Sequence, residues 1–234
     1  MRTRRTYWTG FAVIALAAVL IASYFSFREA RERAFPTDPA SETLSGILQS
    51  VRDKSYPQLN DAMIMVRPLK SDSMYLEAQF TPASYFSPGR LHYVLLFNKE
   101  ALARQVPAAG LRAIVAHELA HIDFYDRESR MGLFGLLRLL YPSFNANFER
   151  RADLEAIALG YGPGLEAYRA WVYRNIPADS VAAKKRDYFS PEEIEAILQA
   201  EKQSPGTLKA FKRCVPMNLG AIQQENFPAT CPSR

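Results

Sequence analysis

The sequence predicts an α+β chain in which a small antiparallel meander precedes a helical region, all carried on a single N-terminal transmembrane anchor. Three features carry that expectation. Residues 62–67, 74–80 and 91–97 are short runs rich in β-branched, aromatic or Met residues, separated by polar or Pro/Gly-containing turns such as Ser87-Pro88-Gly89. From Leu111 onward the apolar residues instead recur at helical spacing. Ahead of both, Tyr7 to Phe27 contains only Thr9, Ser23 and Ser26 as polar side chains beyond its Tyr and Trp, enough for about 20 residues of helix to cross a bilayer.

With 234 residues, 48% of them hydrophobic, the chain has material for one sizeable core, and its composition excludes intrinsic disorder. The net charge of +5 does not imply a nucleic-acid partner. Residues 1–34 hold six of the 29 basic residues and two of the 24 acidic ones, so the remainder of the chain is nearly neutral and lacks an electrostatic footprint for phosphate backbones.

At the N-terminus, Arg2, Arg4 and Arg5 precede the apolar run, and Trp8 and Tyr24 sit near its ends as interfacial anchors would. The run reads as an uncleaved anchor, with a removed signal peptide as the alternative. Residues 1–34 thus form an anchor with a stalk, and Phe35-Pro36-Thr37-Asp38-Pro39 breaks any continuing helix. Residues 204–234 form a tail with the only two cysteines, Cys214 and Cys231, whose spacing suits a disulfide in an oxidising compartment. Together these place the body outside the cytoplasm, in a periplasm or an equivalent space, held to the membrane by one span.

Between stalk and tail, Leu44, Ile47, Leu48 and Val51 define an amphipathic helix over 41–53 with Ser41 as its N-cap. The three strands follow, and their short connections favour antiparallel pairing. His92, inside the third strand, reads as structural. A short helix ends before Pro107, and a longer one runs without Pro or Gly from Leu111 to Asp126. Met131 to Tyr141 is apolar nearly all round and too short to span a membrane, which makes a core helix the default. Asn145 to Tyr161 is helical and stopped by Gly160 and Gly162, helix resumes over 164–174, 181–186 is a polar basic loop, and Ser190-Pro191-Glu192-Glu193 is a capping box opening a helix to about Lys202.

The chemistry concentrates in the helix after Leu111. It contains His117-Glu118-Leu119-Ala120-His121, and residues four apart share a helix face, so His117 and His121 can grip one metal ion. Glu118, one step round the helix, is placed to act as a general base on water at that metal. A catalytic zinc takes three protein ligands and keeps one position open. No histidine follows His121, so the third ligand has to be a carboxylate or Cys. Glu149 is the best candidate, because Asp153 one turn later can hydrogen-bond a ligand imidazole and fix its tautomer.

With both halves present, His117-Glu118-Leu119-Ala120-His121 and Glu149-Arg150-Arg151-Ala152-Asp153, the chain resembles the gluzincin metallopeptidases, most closely the membrane-associated HtpX-like and CAAX-prenyl-protease-like branch. The resemblance covers roughly residues 91–161. It implies a zincin-like catalytic domain over 35–203, a Zn2+ cofactor on His117, His121 and Glu149, Glu118 as general base, Asp153 as the partner of a ligand imidazole, and a protein or peptide substrate. It further implies a Tyr or Arg that stabilises the oxyanion, for which Tyr161, Arg150 and Arg151 are the candidates. One apolar N-terminal run stands where that branch has several membrane helices, so the substrates of those members are not carried over. The expected activity is zinc-dependent endopeptidase at the membrane surface. Two rivals stand beside it: a non-catalytic, zinc-stabilised binding module on a membrane stalk, and a metal hydrolase with a non-peptide substrate.

Overall fold

The structure, a computed structural model, describes residues 39–69, 71 and 75–224. These residues are mostly helical, around one small three-stranded sheet. Helix α1 (Pro39–Ser55) leads to strand β1 (Met63–Leu69), strand β2 (Leu76–Phe80), the short helix α2 (Pro82–Phe86) and strand β3 (His92–Asn98). Helices α3 (Glu100–Ala103), α4 (Ala108–Arg127), α5 (Arg130–Leu133), α6 (Pro142–Ala156), α7 (Gly162–Asn175), α8 (Ala178–Asp187), α9 (Pro191–Gln203), α10 (Thr207–Arg213) and α11 (Leu219–Ile222) complete the order.

Each of the three expected strands forms, but not as a meander. The order is β1-β3-β2, with β1 parallel to β3 and β2 antiparallel to it. Side-chain character explains the correction. His92-Tyr93-Val94-Leu95-Leu96-Phe97-Asn98 is the most apolar of the three, with Tyr93 and Leu95 fully buried, and it takes the central position where both edges are paired. The strands with Arg67 and Pro68, or with Glu77 and Gln79, are left at the edges, where polar side chains and a missing N–H are tolerated.

The expected transmembrane anchor is likewise corrected. No helix among the described residues is long and apolar enough to cross a membrane, and residues 7–27 lie outside them. The described residues thus give no support to a membrane-anchored, extracytoplasmic body. The Cys214–Cys231 pairing also falls outside the description, because Cys231 is not among the described residues.

Helix α4 is the centre of the packing. Nearly every residue from Gly110 to Asp123 is buried, because β2, α1, α6 and α7 pack around it. Its histidines therefore do not sit at the margin of a one-sided apolar arc, as the helical period alone implies. Close approach to α7 depends on Gly164, where an added Cβ would lie 2.4 Å from the Ala109 carbonyl oxygen. Gly160, at φ 88°, lets a π-helical turn (Ile157–Tyr161) end α6 and redirect the chain into α7.

Three local expectations change and one is met. Ser41 lies buried inside α1 rather than capping it. Met131 to Tyr141 is no core helix: it forms α5 and a 3-10 segment (Phe134–Leu140) that leaves Met131, Leu140 and Tyr141 exposed. Residues 181–186 are helical within α8, whose acidic first turn and basic last turn complement its dipole. The capping box at Ser190 forms, with Glu193 N–H donating to Ser190 Oγ and Ser190 N–H donating to Glu193 Oε2.

Candidate metal centre

Helix α4 supplies two imidazoles from one face and α6 supplies a carboxylate that meets them. His117 Nε2 and His121 Nε2 are 3.2 Å apart, and Glu149 Oε2 lies 3.2 Å from the first and 3.0 Å from the second. The three residues form a cluster able to hold a metal ion. The two histidines are buried and Glu149 is mostly so. His92 is not part of the cluster.

The backbone beneath the site is itself fixed. Tyr56, buried behind α4, donates its hydroxyl to the Ala116 carbonyl at 2.8 Å, one residue before the first histidine. Phe148 stacks on the His121 ring at 4.6 Å between centroids, which sets the plane of that imidazole.

Asp153, fully buried one turn after Glu149, lies 2.8 Å from His117 Nδ1 through its Oδ1, at ion-pair distance rather than as a well-aligned hydrogen bond. A charged acceptor there directs the imidazole proton to Nδ1 and leaves Nε2 with its lone pair facing the cluster. Asp153 is held in turn by Arg169 Nη2, donating at 2.7 Å, and by Phe189 N–H, donating to Oδ2 at 3.0 Å. Arg169 is buried too and stacks its guanidinium 4.2 Å from the Tyr188 ring centroid. A line of contacts thus runs from the His117 imidazole to carboxylate to guanidinium to the aromatic wall of the cleft.

The electrostatics follow from this geometry. Burial alone would raise the carboxyls of Glu149 and Asp153, but the two histidines hold Glu149 well below the usual carboxylate range, and Arg169 with His117 lowers Asp153. Burial opposes charge on His117, yet Asp153 and Glu149 outweigh it and push the imidazole up to about 9. Glu118 differs from its acidic neighbours. Burial raises its carboxyl above the ordinary range, against the pull of the two histidines, and Ala78 N–H on β2 donates to its Oε2 at 2.7 Å.

The cluster opens into a cleft of about 450 Å³. Glu118, His121 and Tyr125 of α4 and Asn145, Phe148 and Glu149 of α6 form its floor. One wall is Leu76 to Ala78 on β2, and the other is the α8 face of Ser180, Ala183, Lys184 and Asp187, closed by Tyr188. No family model matches the sequence, and no curated protein or solved structure matches it either.

The structure brings His117, Glu118, His121, Glu149 and Asp153 together. It does not bring the expected oxyanion candidates to the cleft. Tyr161 shares a hydrogen bond with Ser55 at 2.9 Å, Arg150 is buried on Glu193 and on main-chain carbonyls, and Arg151 bonds to Asn147. Ala78, Arg169, Lys184 and Tyr188 are the site residues that sequence reasoning missed. A signal existed for Arg169. It occupies one corner of the buried stripe Leu165, Tyr168, Arg169, Val172, where a solvated arginine has no place.

Proposed function

We propose that the protein is a zinc-dependent peptidase that hydrolyses peptide bonds in the cleft between β2 and α8. The observation that carries the reading is Glu118. A site whose metal only stabilises the fold closes with four ligands and needs no base. Here a second carboxylate, Glu118, stands beside a cluster of two imidazoles and one carboxylate without joining it, in a cleft large enough for a ligand.

The donor set fits zinc. Ligand atoms about 2.0–2.1 Å from a tetrahedral ion stand about 3.3 Å from one another, and the three here are separated by 3.0–3.2 Å. Two imidazole nitrogens and one carboxylate oxygen, with His117 oriented by Asp153, make the ligand set of a catalytic zinc. When bound, zinc supplies a water of lowered pKa and polarises the scissile carbonyl.

The residues do the rest. Ala78 N–H holds Oε2 of Glu118, leaving Oε1 to take the proton of the attacking water. The raised pKa suits both taking that proton and returning it to the leaving amine. Tyr188, whose ring lies 5.9 Å from that of His117 in the cleft wall, would donate its hydroxyl to developing negative charge, and burial with nearby Glu149 keeps it protonated. Among the described residues no strand pairs with the outer edge of β2, and its main-chain groups other than Ala78 N–H are left for an extended peptide to bond. The resemblance to gluzincin metallopeptidases in the two motifs points the same way.

The test compares full-length wild type with Glu118→Gln for bound zinc and casein hydrolysis. One zinc in each, with hydrolysis in the wild type reduced about 10²–10⁴-fold in the variant, is the expected result. Equal activity in both would remove Glu118 from the mechanism, and absence of zinc from the wild type would remove the metal site.

A further inference from the structure

Lys184 is the one Lys or Arg side chain lining the cleft, and no acidic group among the described residues touches it directly. It projects from the last turn of α8 into the same cavity as Glu118 and Glu149 and is half-buried there. Among the described residues it has no ion pair or hydrogen bond; its contact is with the Tyr188 ring, 5.0 Å from Nζ to the centroid. The acidic groups around the cavity are committed elsewhere: Glu149 to two imidazoles, Glu118 to Ala78 N–H, Asp187 to Arg186 at 2.7 and 3.0 Å, and Glu77 to Gln79 at 2.6 Å.

A role in complementing the helix dipole does not account for this placement. Lys185 and Arg186 occupy the same last turn at exposed positions and supply that charge from solvent. Holding an ammonium in a cavity beside a second buried cation carries a desolvation cost: burial and the nearby Arg169 lower the pKa of Lys184 against the longer-range pull of Glu149, Glu118 and Asp187. A ligand bearing negative charge would relieve that cost at the moment of binding.

Resting on the peptidase reading, we infer that Lys184 is a specificity-determining residue that binds a carboxylate of the peptide substrate, set beside the scissile bond by Tyr188. The carboxylate has two sources, an acidic side chain or the free C-terminus, which share this chemistry. In the second case the cleavage is carboxypeptidase-like rather than internal.

The test uses the zinc-loaded full chain carrying Glu118→Gln, so that bound peptide is not consumed, with fluorescein-labelled peptides read by polarisation. Four matched peptides carry Glu or Gln near the centre and a free or amidated C-terminus. The peptides with the recognised carboxylate bind roughly tenfold tighter than their neutral counterparts. That preference falls to about one with K184Q, returns with K184R, and is unchanged with K185Q; which pair shows it identifies the source. Zinc content of each variant reports that the site is intact.

Equal affinity for all four peptides, or a preference that survives K184Q, overturns the inference and leaves the peptidase reading standing. So does K184Q in the Glu118 background lowering kcat uniformly with unchanged peptide affinity, because Lys184 then serves the reacting carbonyl. If none of the peptides binds to a zinc-loaded protein, the peptide reading itself fails and the inference with it.

Discussion

The floor and the rim of the cleft are built on opposite terms. On the floor, α4 and α6 bury almost every side chain that carries chemistry, and each is held by at least one further group: His117 by Asp153, Asp153 by Arg169 and Phe189, Glu118 by Ala78, His121 by Phe148. At the rim, where Leu139 reaches the cleft, residues 130–141 leave Met131 of α5 75% exposed and Leu140 of the 3-10 segment 82% exposed. The difference teaches where precision is needed. Groups that must meet within tenths of an ångström are over-determined by packing, whereas the rim needs only to be passable.

Removing a ligand breaks the floor most severely. His121→Ala or Glu149→Gln should reduce bound zinc from about one equivalent to nearly none, measured by metal analysis after dialysis. Next in size is Arg150→Met. Arg150 and Glu193 are both buried and 3.0 Å apart, so the substitution leaves a carboxylate unpaired inside the protein. Urea unfolding should show a loss of about 3–5 kcal/mol.

Asp153→Asn and Arg169→Met should weaken zinc affinity about 10–100-fold, read by competition with a chelator, and Arg169→Met, which leaves the buried Asp153 without its guanidinium, should also cost about 3–5 kcal/mol in urea unfolding. A structural role alone would lower stability and leave affinity unmoved. Protons compete with metal for His117 Nε2, because the surrounding carboxylates hold that imidazole up to about 9. Zinc affinity should therefore climb with pH, by up to about tenfold per unit, and level off above about pH 9.

The smallest effect belongs to the rim. Met131→Ser and Leu140→Ser should change stability by less than about 0.5 kcal/mol, against about 2–5 kcal/mol for Leu119→Ala or Leu154→Ala on the floor. A large destabilisation from either rim substitution would erase the contrast.

The same contrast decides what was legible in the sequence. The motif residues were, because His117 with His121, and Glu149 with Asp153, are each four apart on one helix and need only local geometry. Strand positions and the capping box were legible for the same reason. Strand order was not, because which strand takes the centre is settled by packing between distant segments. Residues 181–186 were misassigned on their charge, although Asp179 and the basic triplet mark the two ends of a helix. Ala78 left no trace at all: its contribution is a backbone N–H, which every residue but proline has.

That N–H has a consequence for how the gene can change. Along β2 the main chain faces alternate edges. Tyr75 O and Thr81 N bond to β3, while Ala78 N points the other way, to Glu118. Inserting or deleting one residue within 76–80 would turn a different edge towards α4 and leave the carboxylate without its donor, whatever the new side chains were. Almost any substitution at position 78 keeps the bond, and a single-codon indel there removes it. The register of this five-residue strand is thus under tighter constraint than its side chains.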